Sequence, residues 1–301
     1  MLYEFFRPVL EFNNPVLWAM PVFVLTMLLE AYINYKEKTA NYVLKDSLAC
    51  IGMGLGSIVL DLIGKSIAML GFIYLYETFG FFKQELSFTL LGWALLFFAE
   101  DFSFYWHHRL SHQVRILWAA HVNHHSSEQF NLTVAVRQSW TEVFYKYSFY
   151  MWLPLLGFHP IMLLTQISIN LIFQYWVHTK YIHKMPAWFE LIFNTPSHHR
   201  VHHASNICYL DKNHAGTLII WDRMFGTYAE EAADIPIKYG ITTNINTYNP
   251  LRIATHEFVS LWKDVRRAPT VKDKLKYMFY PPGWSHDGSS QTAEEMRNSE
   301  Q

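Results

Sequence analysis

The histidine pattern is the feature that most constrains this chain. Most of its sixteen histidines fall into three short motifs. These are His107-His108-x3-His112, His121-x2-His124-His125 and His198-His199-x2-His202-His203. Residues three and four apart share one face of an α-helix, so we expect each motif to aim two or three imidazoles at one point. The fold must then bring three such helical turns together.

Three converging helical faces predict a metal site with two ions and open coordination positions. Burying so many imidazoles among Trp, Leu and Val without a shared cation would be costly. Imidazole binds iron, zinc and copper alike, so ligand type alone does not choose the metal. His178, beyond a long apolar stretch, is a fair candidate for a ninth ligand, whereas His107 and His198 lie off the ligand face. The eight candidates within the motifs are His108, His112, His121, His124, His125, His199, His202 and His203.

Several motifs that the sequence lacks disfavour other classes of protein. The sequence has no His-Glu-x-x-His, which disfavours a zinc protease, and no Glu-x-x-His, which disfavours a carboxylate-bridged di-iron bundle. It has no glycine-rich phosphate loop, so electrons would have to come from a separate carrier. The net charge of −1 excludes a strongly basic nucleic-acid binder.

Long apolar stretches predict an integral-membrane, all-α protein. Only 16% of residues are charged, against roughly a quarter in soluble domains. We expect spans near 15–33, 48–82 and 86–106. The stretch 143–176 is broken by prolines and a glycine, and is expected to form a hairpin that returns to its starting side. The prediction is a helical bundle of about four spans.

The remaining sequence is assigned to a helical cap that holds the dinuclear site. Residues 1–284 are expected to form a single domain, with the cap built from 107–142 and 177–284 and a disordered tail at 285–301. Within the cap, 250–267 and 271–280 are amphipathic, as interfacial helices or as ordinary cap helices. Lysines at 36, 38 and 45 and basic residues after the third span place the histidines on the cytoplasmic face.

Metal-bound imidazoles usually donate their second N–H to a carboxylate or carbonyl. Asp101, Asp211, Asp222 and Asn194 are candidates for that role, and a helix cap or surface charge is at least as probable for each.

The ordered motifs His-x3-His, His-x2-His-His and His-x2-His-His resemble those of the fatty acid hydroxylase/sterol desaturase superfamily. Within it, 109–131, 137–139 and 194–227 look most similar to alkylglycerol monooxygenases and bacterial sterol desaturase-like proteins. The resemblance implies two iron ions per chain, held by the eight motif histidines and His178, with no catalytic residue beyond the ligands. It also implies O2-dependent hydroxylation or desaturation of a fatty acyl chain, ether lipid or sterol taken from the bilayer. The electron donor would be a cytochrome, a ferredoxin with its reductase, or a pterin. The membrane would be the inner membrane of a bacterium or the endoplasmic reticulum of a eukaryote.

Two other classes of protein stay open at this stage. A membrane hydrolase with a dinuclear zinc site would need neither O2 nor electrons. A non-catalytic metal-binding membrane protein would use the same ligands without turnover. Metal analysis and an anaerobic assay separate these alternatives from the oxygenase.

Overall fold

A computed structural model of the chain describes residues 13–300. Residues 1–12 of the predicted domain and Gln301 of the predicted tail lie outside this range. The described part contains thirteen α-helices, four short 3-10 helices and no strand beyond two isolated bridges. The prediction of an all-α fold is confirmed.

Two long apolar helices open the described chain. Helix α1 (Pro15–Glu37) begins at Asn14, whose side chain accepts a hydrogen bond from the Val16 N–H at 3.1 Å. Helix α2 (Leu44–Phe79) has 36 residues, a length of about 54 Å. Both are long and apolar enough to cross a membrane, in agreement with the spans expected at 15–33 and 48–82. Since a hydrocarbon core is about 30 Å thick, part of α2 would extend beyond it.

A sharp turn then joins two helices that carry histidine motifs. After the single turn α3 (Lys83–Leu86), helix α4 runs from Leu90 to Gln113 and helix α5 from Arg115 to His125. Val114 between them is extended (φ −117°, ψ 113°), which ends α4 and redirects the chain. The first two motifs therefore lie on two helices that meet at one residue. The predicted span at 86–106 corresponds to most of α4, which buries Glu100 and Asp101.

The predicted break in 143–176 is present. Short 3-10 helices at Val134–Val136, Glu142–Phe144 and Lys146–Tyr150 lead to α6 (Trp152–Leu156). Gly157 has φ +111°, a conformation that side chains with a Cβ rarely adopt. Helix α7 (Pro160–Trp176) then starts with proline at its first position. Glycine and proline thus separate α6 from α7 where the sequence analysis expected the hairpin to turn.

The main apolar core lies between α2, α4, α6 and α7. Its buried side chains pack from both sides of the hairpin against the middle of α2 and α4, which fixes the depth at which α4 presents its last turns. The fully or almost fully buried members include Met69, Phe72, Leu96, Leu153, Met162, Leu163 and Leu164.

The rest of the chain forms the cap. Its helices are α8 (Ala187–Ile192), α9 (Pro196–His202), α10 (Ile220–Met224), α11 (Pro250–Arg267), α12 (Val271–Phe279) and α13 (Ala293–Ser299), with a 3-10 helix at Ile207–Tyr209. Helix α11 is fixed to α5 by the buried Arg115, which contacts Glu257 at 2.9 Å and Asp264 at 2.7 Å.

The expectation of a disordered tail is wrong for residues 285–300. Thr292 and Glu295 form a reciprocal capping box that starts α13. Arg297 Nη1 then donates to the Leu210 carbonyl at 2.8 Å, which attaches the helix to the cap. The small polar residues that predicted disorder instead cap a short helix.

Candidate metal centre

Five histidines, here called the five-histidine group, place one ring nitrogen each within 4.8 Å of one another. Helix α4 contributes two of them one turn apart, α5 contributes two more, and α9 contributes the fifth. His121 Nε2 lies 3.0 Å from His108 Nε2 and 3.2 Å from His125 Nε2. The members are His108, His112, His121, His125 and His202.

A second set, the four-histidine group, satisfies the same distance limit. Its members are His124, His178, His199 and His203. His178 Nε2 lies 2.8 Å from His199 Nε2 and 3.2 Å from His124 Nε2. His203 Nε2 is 3.1 Å from His199 Nε2. The two groups together contain all nine histidines that the sequence analysis selected.

The second and third motifs are each divided between the two groups, contrary to the expectation that each motif aims at one point. Pairs four apart share a group, as His121 and His125 do, whereas the residue three apart, His124, belongs to the other group. A helix turns about 100° per residue, so positions three and four apart lie on opposite sides of the first residue. The His125 and His203 rings stack with centroids 4.4 Å apart, so the groups are adjacent.

The donor atoms fit metal ions. Two nitrogens bound at right angles to one ion, each about 2.1 Å from it, lie about 3.0 Å apart. The inner nitrogen pairs lie 2.8–3.2 Å apart. Nε2 of His112 and Nε2 of His202 are buried without a hydrogen-bond partner within residues 13–300. Nitrogens at these distances share either a proton or a cation, and the partnerless Nε2 atoms of His112 and His202 leave room for a cation.

Backbone carbonyls orient three of the rings. His108 Nδ1 donates to the His214 carbonyl at 2.7 Å, and His178 Nδ1 donates to the Gln174 carbonyl at 2.8 Å. His202 Nδ1 does the same with the Lys212 carbonyl at 2.9 Å. These bonds place the proton on Nδ1 and leave the Nε2 lone pair directed inward, as metal ligation requires.

Burial keeps the imidazoles in the form that binds metal. Loss of solvation lowers the pKa of His124 to about 3 and that of His178 to about 4. Burial first, and the neighbouring imidazoles second, also hold the pKa of His125, His199 and His203 well below the ordinary value. The rings are therefore neutral near pH 7, and no proton has to be displaced when an ion binds.

The four predicted partners of the imidazole N–H groups have different surroundings. Only Asp211 approaches a ligand, with Oδ1 3.4 Å from His112 Nδ1. Asp222 instead accepts from the backbone N–H groups of His214 and Ala215, both at 2.8 Å. Asp222 thereby fixes the loop whose His214 carbonyl orients His108.

The other two predicted partners do not contact ligand rings. Asn194 donates to the carbonyls of Ala215 at 2.8 Å and Gly216 at 3.2 Å, and so supports the same loop as Asp222. Asp101 accepts from the backbone N–H of Thr217 at 2.7 Å and of Leu218 at 2.9 Å. Both side chains are completely buried and stabilise the loop rather than an imidazole.

Glu142 is a site residue that the sequence analysis missed. Its Oε1 lies 3.0 Å from His107 Nε2 and 3.9 Å from His121 Nδ1. Burial alone would raise the pKa of Glu142, but the close contact with His107 and the charge of Lys146 together hold that pKa below its ordinary value. A lone glutamate in Trp-Thr-Glu-Val-Phe carries no spacing signal, so only the tertiary contact identifies it.

The remaining histidines lie outside both groups. His198 is buried with Nδ1 3.3 Å from Thr195 Oγ1, and His159 caps α7 by accepting from the Ile161 N–H at 3.2 Å. His214 is completely buried, with its ring centroid 5.0 Å from that of His112. His183 is exposed.

A buried arginine holds the end of α5. Arg137 is 1% exposed, and its Nε donates to the Asn123 carbonyl at 2.8 Å. Its Nη1 lies 3.6 Å from Asp46 Oδ1 on α2. A cation at the carboxyl end of a helix interacts favourably with the helix dipole. Arg137 therefore connects the helix that carries the second motif to the long apolar helix α2.

Residues 93–227 match the family model described as fatty acid hydroxylase, and this range contains every histidine of both groups. This part of the chain belongs to the fatty acid hydroxylase family. The family predicted from the three motifs is thereby confirmed.

Proteins similar to this chain include alkylglycerol monooxygenases. The human protein of that name is 38% identical over 281 residues, which is 93% of this chain and 62% of the relative. That of Xenopus tropicalis is 36% identical over 279 residues, 93% of this chain and 61% of the relative. An ornithine lipid hydroxylase of Rhizobium tropici is 27% identical over 146 residues, 48% of this chain and 44% of the relative. This chain thus spans about three fifths of the length of the alkylglycerol monooxygenases. No solved structure gives a significant match.

Proposed function

We propose that this protein is a membrane monooxygenase that uses two iron ions to hydroxylate a C–H bond of a lipid. The observation that carries the proposal is the pair of buried histidine groups, in each of which one nitrogen per ring lies within 4.8 Å of the others. Similarity to proteins named alkylglycerol monooxygenase and ornithine lipid hydroxylase supports a lipid substrate. The same ligands would also suit desaturation, so they do not by themselves decide between hydroxylation and desaturation of the lipid.

The five-histidine group would hold one ion and the four-histidine group the other. Iron bound there would supply the activation of O2 and the oxidation of an unactivated C–H bond. An all-imidazole donor set is equally suited to zinc and copper. A redox-inactive zinc site would support hydrolysis rather than the proposed oxidation, and iron is proposed over copper because of the resemblance to the fatty acid hydroxylase/sterol desaturase superfamily.

The protein's own residues would fix the ligands and keep bulk water out of the site. All nine histidines are buried, and the ring of the completely buried Phe130 lies 5.3 Å from that of His203. On the other side, Phe104 packs 5.4 Å from His108. Apolar walls of this kind favour an apolar substrate and exclude competing reactions of a reactive centre with water.

A lipid substrate would enter from the bilayer. Helices α1 and α2 expose apolar side chains along most of their length, including Leu25, Leu28, Val59 and Leu62. We propose that these helices, α4 and the α6–α7 hairpin form the membrane part, giving a multi-pass protein of about four spans. The histidines would then lie at the cytoplasmic boundary, where an external electron donor can reach them.

The test is a comparison of lipids under controlled metal and oxygen conditions. The purified chain, reconstituted with ferrous iron, an electron donor and bacterial or liver lipid extract, is incubated with and without O2. Mass spectrometry should show O2-dependent products heavier by one oxygen. Loss of two hydrogens would indicate desaturation instead. Product formation without O2 or reductant, with zinc as the bound metal, would contradict the proposal in favour of a hydrolase.

A further inference from the structure

Two carboxylates lie near the two histidine groups: Glu142 beside a ring of the five-histidine group, and Glu30 against Thr179, which follows His178 of the four-histidine group. Glu142 belongs to the 3-10 helix Glu142–Phe144, and Glu30 belongs to the apolar helix α1. The side chain of Glu142 is 14% exposed, and Glu30 is 5% exposed. A nearly buried carboxylate is costly unless it is hydrogen-bonded or balanced by positive charge. The contacts of each carboxylate should therefore show what stabilises it where it lies.

Glu142 faces the outer nitrogen of a ligand in the five-histidine group. The Nε2 atom of His121 is directed at His108 and His125, so its Nδ1 atom is directed away from them. Glu142 Oε1 lies 3.9 Å from that Nδ1, beyond hydrogen-bond length, and 3.0 Å from His107 Nε2. The carboxylate thus acts on His121 through its charge, and its closest ring contact is His107. A negative charge behind a ligand ring makes that ring a stronger donor to an ion in front of it.

Glu30 supports the four-histidine group through the chain around His178. Thr179 Oγ1 donates to Glu30 Oε1, while the Tyr42 hydroxyl and the Leu132 N–H, at 2.8 Å, donate to Oε2. His178 lies just past the end of α7, where the Gln174 carbonyl holds its ring but the chain is no longer helical. Glu30 therefore ties three separate segments together at the residue that follows the ligand.

A second contact fixes the same short segment from the opposite direction. Arg200, between His199 and His202 in sequence, donates through Nη1 to the Thr179 carbonyl at 3.2 Å. Arg200 is itself paired with Glu231, with Nη2 2.6 Å from Oε2. The position of Thr179 is thus set by α1 on one side and by the third histidine motif on the other. Removing the Glu30 contact should loosen His178 without altering α4 or α5.

We propose that Glu142 and Glu30 are positioning residues, each of which supports the ion of one histidine group and not that of the other. This inference rests on the proposed function only in requiring that each group binds an ion. The five-histidine group would then be supported from the segment before the hairpin, through Glu142. The four-histidine group would be supported from the first apolar helix, through Glu30.

The test measures the two ions separately in matched variants. Wild type, Glu142→Gln and Glu30→Gln are loaded anaerobically with 57Fe(II). Iron per chain, affinity by competition with a chelator, and the Mössbauer spectrum are then recorded. We expect Glu142→Gln to weaken one ion by about 10- to 100-fold and to change one of two ferrous signals. Glu30→Gln should weaken the other ion and change the other signal.

Controls separate positioning from folding. Glu128→Gln and Glu37→Gln remove exposed carboxylates on neighbouring segments and should leave both ions unchanged. Glu142→Asp and Glu30→Asp retain the charge and should recover part of the affinity lost in the glutamine variants. The midpoint of thermal unfolding of the metal-free proteins should fall much less than iron affinity does. A glutamine variant that does not fold is replaced by its aspartate variant, which should lower the affinity of the same single ion.

The possible results are decisive in both directions. A wild-type chain that binds two ions, with either glutamine variant keeping both at unchanged affinity or losing both together, contradicts this inference alone. A wild-type chain that binds no iron contradicts the proposed function and this inference with it. Selective loss of different ions in the two variants supports both.

Discussion

The Nε2 atom of His178 lies 2.8 Å from the Nε2 atom of His199, although His178 belongs to no histidine motif. His199 is the first ligand of the third motif, and α8 separates the two residues along the chain. His178 Nδ1 donates to the Gln174 carbonyl, so the close nitrogen of His178 is unprotonated. This nitrogen accepts either the N–H of His199 or an ion that both rings would bind, and the nine buried imidazoles gathered around the pair favour the ion.

Replacing His178 should therefore remove one ion. We expect His178→Ala to bind about one iron per chain in place of two and to lose lipid hydroxylation. The matched control is His183→Ala, five residues along and exposed, which should keep both ions and full activity. Inductively coupled plasma mass spectrometry of the purified variants measures the difference. An His178→Ala protein with unchanged iron content would show that His178 is not a ligand.

The loop around His214 should control the five-histidine group. Asp222→Asn removes the charge that accepts the N–H groups of His214 and Ala215. Loss of charge-assisted hydrogen bonds to a buried group should lower the free energy of unfolding by about 1.5–3 kcal/mol. Since the His214 carbonyl orients His108, iron affinity should fall as well. Asp234→Asn, at an exposed position, should change neither, and equal behaviour of the two variants would refute this role for Asp222.

The hairpin can be tested with two glycines. Gly157→Ala places a Cβ 2.6 Å from the Phe82 backbone at φ +111°, and should destabilise the protein by about 1–3 kcal/mol. Gly71→Ala on α2 meets nothing within 4 Å and should be neutral or gain about 0.5–1 kcal/mol. Thermal unfolding in detergent gives both values. Equal stability of the two variants would contradict the turn described at Gly157.

The metal-free protein should be sensitive to acid. In the unfolded chain a histidine binds a proton below about pH 6.5, whereas burial keeps the folded pKa of His124 near 3 and that of His178 near 4. The unfolded state then holds more protons, so stability is full above about pH 6.5 and falls toward pH 4, by about 1.4 kcal/mol per pH unit for each such histidine. Unfolding midpoints measured from pH 7.5 to 4.5 should show this slope. His178→Gln should reduce the slope by one histidine's share and His183→Gln should leave it unchanged; a wild type with no slope would exclude buried neutral histidines.

The sequence predicted which histidines come together better than it predicted how they are grouped. Spacings of three and four residues identified His108, His112 and their equivalents in the other motifs, because helical periodicity is a local property. The same spacing does not say which of two adjacent ions a ring faces. That His124 separates from His121 and His125 depends on how α5 lies against α9.

Residues that act through tertiary contacts left no local signal. Glu142 resembles any glutamate at the start of a turn, and Glu30 resembles an isolated charge near the end of an apolar helix. The disordered tail was expected because short polar residues predict disorder, yet Thr292 and Glu295 formed a capping box. Long apolar helices and the Pro-Gly break were predicted correctly, since hydropathy and backbone restrictions act locally.

The most direct test of the central claim is an anomalous diffraction measurement at the iron absorption edge on crystals of the iron-loaded chain. The account predicts two peaks, one among His108, His112, His121, His125 and His202 and one among His124, His178, His199 and His203. A fully loaded crystal with no peak in either group, or with both peaks elsewhere, would contradict it.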